Sequence, residues 1–192
     1  MFRKILTALL VFICSLTLAF SQGPVTDFST GFLVMGGVRY DDVRMCVGSE
    51  AGVKGGPIAD LMFSSRYLVR ENQIASFNLP VMRPLLFGIA FKMLQFEPEF
   101  TYEFHAQLGG RDFFAGPGVG FSLNYGPDYT SDTENRGTEF FSLGPILSMY
   151  AGTEFGHDNY LSLKGFYSPL FSFGGGPDGM VLGVAAGFSK YF

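Results

Sequence analysis

Apolar and polar positions alternate through most of this chain. In EFTYEFHAQL the even positions are Phe100, Tyr102, Phe104, Ala106 and Leu108, and the odd ones are Glu99, Thr101, Glu103, His105 and Gln107. FFAGPGVGFSLNY sets Phe113, Ala115, Val119, Phe121, Leu123 and Tyr125 against Phe114, Gly116, Gly118, Gly120, Ser122 and Asn124. The same period runs through 138–155 and 158–173. The closing segment sets Phe192, Phe188, Ala186, Val184, Leu182 and Met180, with Lys190 among them, against Tyr191, Ser189, Gly187, Ala185, Gly183 and Val181. Successive strand side chains point to opposite faces, so each segment has one apolar face and one small or polar face. A soluble sandwich would turn the apolar face inward and usually carry charge outside, whereas the second face of the closing segment is small, not charged.

Length separates the alternatives further. Ordinary strands average about 5–6 residues, whereas several of these runs pass 12. A tilted strand needs about 9–11 residues to cross the hydrocarbon layer. Aromatics gather toward the run ends at Phe113, Tyr125, Phe141, Phe155 and Phe173, as an interfacial girdle requires. In lipid, a closed barrel is the β arrangement that satisfies every backbone group. The pattern predicts an all-β fold, an antiparallel up-and-down transmembrane β-barrel.

Strand-like runs fall near 28–40, 44–54, 57–69, 74–91, 94–108, 111–125, 138–155, 158–173 and 179–192. Single-chain bacterial barrels use even numbers. The weak region is 41–92, where SEAGVKGGPIAD can interrupt a strand and Pro80 and Pro84 cannot donate to a ladder. Eight strands are expected, with ten as the alternative. GGGPDG at 174–179 and GPDYTSDTENRG at 126–137 read as extracellular loops, and LGGRD at 108–112 and GHDN at 156–159 as periplasmic turns.

The amino end supplies the address. Arg3 and Lys4 precede an apolar run from Ile5 to Phe20, and Ala19 and Ser21 occupy the small-residue positions of a cleavage site. That layout is a secretory signal peptide over 1–21, cut between Ser21 and Gln22, leaving 22–192 as the barrel domain. The apolar run falls short of the about 20 residues a spanning helix needs. Cys14 lacks the small residues that a lipid-attachment signal places just before its cysteine.

Composition then excludes several classes. The chain has 192 residues, 23 Phe, 26 Gly and 16% charged residues, which argues against a disordered tail. A net charge of -4 without a basic run argues against nucleic-acid binding. Neither the two His nor the two Cys cluster, so no metal or cofactor site is expected. Cys46 is a lone thiol of the mature chain.

The signal, the alternating aromatic strands, FFAGPGVGFSL and the terminal Phe192 resemble the small outer-membrane β-barrel families, the OmpA/OmpX-like group. The resemblance implies an outer-membrane location among outer-membrane lipids. It also implies a last strand read by the barrel-assembly machinery through Phe192, Phe188 and Val184. Lys190 departs from that pattern, where an aromatic or apolar residue is usual; its stem can lie along the wall and lift its charge to the interface.

Candidate chemistry concentrates inside. Glu99, Glu103 and His105 share a face, with Glu97 just before them. A catalytic reading has Glu103 orienting His105. The structural reading has inward Lys164 or Arg66 neutralising the acids in a narrow barrel, and it is favoured. His157 and Ser162 are five positions apart and point to opposite faces, so no His–Ser pair for lipid hydrolysis is expected and no catalytic residue is assigned. The glycine stripes leave either a narrow pore or room for Phe114, Tyr150, Tyr160 and Phe166; filling is favoured. The expected function is a structural or surface-interaction barrel, with 126–137 as a loop open to an extracellular ligand. A small passive conduit is the alternative, and a lipid-modifying enzyme a more distant one.

Overall fold

The computed structural model describes residues 28–41, 46–47, 50–51, 55–89, 93–127, 139–173 and 178–192. The signal segment with Ser21 and Gln22, residues 128–137 of the polar loop and residues 174–177 lie outside the described residues, as does the Cys46 side chain.

The strands are β1 (Phe28–Asp41), β2 (Cys46–Val47), β3 (Glu50–Ala51), β4 (Gly56–Arg70), β5 (Gln73–Pro80), β6 (Leu94–Phe96), β7 (Glu99–Leu108), β8 (Arg111–Pro127), β9 (Glu139–Glu154), β10 (Asn159–Phe173) and β11 (Gly179–Tyr191), with one short helix, α1 (Met82–Leu86), after β5. Eight of them form a closed antiparallel ring in the order β1, β4, β5, β7, β8, β9, β10, β11. The seam is β1 against β11, from Gly31 opposite Tyr191 to Asp41 opposite Val181. Closure pairs the ring strands on both sides over most of their length, which is what a strand protein needs in lipid, the exception being the stretch of β4 before Met62.

The run 94–108 is one strand with a break. β6 pairs with β8 from Leu94 opposite Tyr125 to Phe96 opposite Leu123, and β7 resumes at Glu99 opposite Gly120. Pro98 sits in the break, where it has no N–H to give the ladder, but its carbonyl accepts from Phe121 N at 3.3 Å.

Two expected runs are corrected. Among the described residues of 44–54, β2 and β3 pair with each other and not with the ring. The run 74–91 ends as a strand at Pro80 and continues as α1, because Pro80 and Pro84 both lack the amide that a longer ladder would use. With 44–54 left out and the run 74–91 shortened to β5, the ring holds eight strands. β8 reaches Pro127 and β11 starts at Gly179, so the ends of the two proposed loops belong to strands.

Tight turns cluster at one end of the barrel together with Phe28 and Phe192. Gly109 and Gly110, at φ 60° and 76°, make the two-residue link between Leu108 and Arg111. Positive φ at both centres is the turn whose twist matches the flanking strands. The longer connections all leave from the opposite end.

The alternation sorts the faces. Val34, Val38, Val119, Leu147, Met149, Leu161, Leu163, Phe171, Val184 and Phe188 are exposed around the outside. The inside holds Leu33, Met35, Met62, Phe114 and Tyr150 in one apolar cluster, together with buried Arg39, Arg66, Glu99, Glu103, Lys164 and a set of serines. Among the described residues no helix is long and apolar enough to cross a membrane. The strands are: β8, β9 and β10 have 17, 16 and 15 residues, above the about 9–11 a tilted strand needs.

Candidate functional site: the charged barrel interior

The interior is filled by three stacked polar layers, each tied by at least one contact between chain segments that are not neighbours in the ring. Nearest the tight turns, Arg66 of β4 reaches over β5 to Glu103 of β7, with Nη2 to Oε2 at 3.0 Å. The Arg66 guanidinium stands 4.3 Å from the Tyr160 ring centre and 4.6 Å from that of Tyr191. His105 lies between two carboxylates, Nδ1 2.6 Å from Asp112 and Nε2 3.3 Å from Glu103. Its ring stacks on Phe114 at 5.4 Å.

The middle layer centres on Glu99, whose side chain is fully buried. Lys164 of β10 pairs with it across the lumen, Ser148 of β9 donates to Oε1, and Tyr150 donates to Oε2 at 2.7 Å. A buried carboxylate with that many donors is compensated where a lone one would be very costly.

Toward the long loops, Arg39 of β1 contacts Asp41 at 3.2 Å and Glu97 at 3.3 Å. Ser122 donates to Glu97 at 2.9 Å and accepts from Asn124 Nδ2 at 3.0 Å. Strand rise is about 3.3–3.4 Å per residue, so Glu97, Glu99 and Glu103 fall on successive levels of one inward face.

The structure thus brings Glu99 to Lys164, and Glu103 to both His105 and Arg66. Sequence reasoning missed Arg39, Asp41 and Asp112 as members of the interior network. The available signal was the parity of Arg39 and Asp41 on a strand whose even positions are apolar.

Two aliphatic hydroxyls of the turn-end layer bond to Glu103. Ser76 Oγ and Thr101 Oγ1 point to Glu103 Oε1 at 3.4 and 3.3 Å, not to His105. His157 is exposed in a turn, where its carbonyl accepts from Lys190 Nζ at 2.8 Å. Ser162 is buried inside. Lys190 therefore does lift its charge to the rim, with Nζ 5.9 Å from the Phe192 ring centre. Among the described residues no group of three His, Cys, Asp or Glu is arranged to hold a metal.

The glycines make room for ring side chains. A Cβ on Gly152 would stand 2.4 Å from Phe114 Cζ, and one on Gly183 would stand 2.5 Å from Phe166 Cζ. Two of the spaces left between the described residues are small. One cavity of about 20 Å³ lies among Phe114, Tyr150, Tyr160 and Tyr191, and another of about 10 Å³ lies beside Asn124 and Ser142. A water needs about 10–15 Å³, so each has room for about one water and neither is a channel.

No family model and no curated protein matches the chain. Three solved structures are similar over most of its length. Neisserial surface protein A is 10% identical, with 84% of this chain and 97% of that one covered and a TM-score of 0.43. The outer membrane protein OprG from Pseudomonas aeruginosa is 16% identical, with 85% and 96% covered and a TM-score of 0.47. Ail, the attachment invasion locus protein of Yersinia pestis, solved in complex with the heparin analogue sucrose octasulfate, is 11% identical, with 86% and 98% covered and a TM-score of 0.36. Likenesses at these scores leave the assignment resting on the closed ring and its two faces. An apolar outside, an ion-paired inside and eight antiparallel strands joined by tight turns at one end are the architecture of a small integral outer-membrane β-barrel.

Proposed function

We propose that the protein is a plugged outer-membrane barrel with a structural or surface-interaction role and no catalytic one. The observation that carries this reading is the set of ion pairs crossing the lumen, above all Lys164 with Glu99. Eight strands leave an interior only wide enough for side chains, and here side chains take it up. In this reading the tight-turn end faces the periplasm and the long connections face outward, with 126–137 the loop offered to an extracellular ligand. Residues 1–21 leave as a signal peptide between Ser21 and Gln22. The barrel-assembly machinery reads Phe188 and Val184, exposed on β11, and Phe192, exposed just after it.

A second reading, a small passive conduit, draws support from the buried serines Ser64, Ser122, Ser148, Ser162 and Ser189, which would suit a wet path. Planar-bilayer recording of the refolded mature protein separates the two. The plugged reading expects the current of the bare bilayer. Discrete steps that scale with salt concentration would replace it with the conduit.

A further inference from the structure

Among the described residues, part of β4 lacks a strand partner on the β5 side. β4 pairs with β5 only from Met62 to Arg70, so its stretch 56–61 meets no β5 strand. On the far side of that gap, β6 pairs with β8 alone. α1 stands between the two, packed against both β4 and β6.

Its attachment is specific. Val81 N donates to Leu61 O at 2.9 Å and Arg83 Nε donates to Ala59 O at 3.3 Å, so α1 takes ladder positions that β5 has vacated. Leu85 N donates to Val81 O at 3.2 Å, Ile89 N to Leu86 O at 3.1 Å, and Pro84 has no amide to satisfy. The segment therefore answers several of its backbone groups internally, as backbone in contact with lipid must.

The height of α1 is fixed from both sides. Ala59 is opposite Gly36 of β1, between outward-facing Val34 and Val38 and below Tyr40. Phe87 packs edge-on against Tyr125 at 6.1 Å, and Tyr125 stands opposite Phe141, whose ring meets Phe173 at 5.6 Å. Residues 83–89 thus span from within the apolar band to its aromatic rim. At that height they expose Leu85 and Ile89 at 73% and 84%, among the barest large apolar side chains of the described residues.

Resting on the outer-membrane barrel reading, we propose that Leu85 and Ile89 form a lipid-docking surface, on which acyl chains of the leaflet at the long-loop end pack and complete the wall that β5 leaves open. The surface is continuous with the apolar outside of β4 and β8, which is why lipid rather than a protein partner is its occupant.

The protein has no Trp, so Ile89→Trp and Leu85→Trp each carry a single reporter, and Leu163→Trp, outward on β10, is the reference for lipid contact. Each is folded into phosphatidylcholine vesicles whose acyl chains bear bromine at a shallow, middle or deep position, with folding checked by gel mobility. The proposal expects blue-shifted emission at 89 and 85, quenching strongest by the shallow bromine, and little effect of iodide. Red-shifted emission quenched by iodide would overturn it in favour of water. Blue-shifted emission that no bromine quenches would overturn it in favour of a protein cover, from a second copy or a loop.

Discussion

Lys164 and Glu99 meet inside the barrel although β10 and β7 are separated by two strands of the ring. The pair crosses the lumen instead of following the sheet, and this makes the interior a plug. Removing one partner of a buried pair leaves an uncompensated charge and typically costs about 3–5 kcal/mol. Lys164→Met should lower the stability of the folded barrel by about that amount, read by urea unfolding in lipid vesicles. Combining it with Glu99→Met should recover much of the loss, because both charges then leave together. A double variant as unstable as the single one would mean that packing, not charge balance, sets the effect.

Phe166 and Gly183 are opposite one another on β10 and β11, with the ring filling the place a Cβ would take. Gly183→Val drives a branched side chain both into that ring and toward Val38 O. Overpacking of this kind costs about 1–3 kcal/mol. The unfolding midpoint should fall, and Phe166→Ala should rescue it only partly, since the backbone contact persists. Unchanged stability in Gly183→Val would mean that the lumen has slack there.

Arg66 tests geometry at constant charge. Its guanidinium bonds Glu103 while facing two tyrosine rings. Lysine keeps the charge but not the planar fork or its stacking. Each cation–π contact is worth about 0.5–2 kcal/mol, so Arg66→Lys should destabilise by about 1–2 kcal/mol in the same unfolding assay. Tyr160→Leu in the Arg66→Lys background should then cost less than it does alone.

Phe192 separates assembly from stability. Its main chain exchanges hydrogen bonds with Thr30, at 2.8 Å and 3.4 Å, while its side chain is 77% exposed. Phe192→Ala keeps the main-chain bonds. It should refold in detergent like the parent chain, yet yield much less folded barrel in the membranes of producing cells. Equal cellular yield would remove Phe192 from the assembly signal.

Much of this architecture can be read from alternation alone. Phe100, Tyr102 and Phe104 fix the outward parity of β7, and with it the inward parity of Glu99, Glu103 and His105. Parity gives the face but not the partner. Whether Glu99 meets Lys164 or Arg66 depends on the stagger around the ring, which is a sum of registers that no single segment contains. Asp112 is harder still, since it joins His105 only because the two-residue turn at Gly109 and Gly110 brings β8 back in that register. The helix at 82–86 is illegible for another reason. Met82, Pro84 and Leu85 carry no helical period over so short a span, and Pro80 marks where a strand must stop without naming the next element.

A closed barrel with its apolar face in lipid is tested most directly by electrophoretic mobility before and after boiling. The mature protein folded into detergent or vesicles should migrate differently unheated than boiled, with a β-type circular dichroism spectrum that survives until the shift is lost. A protein that stays monomeric in buffer without detergent, with one mobility in both states, would contradict the barrel and return the alternation to a secreted sandwich.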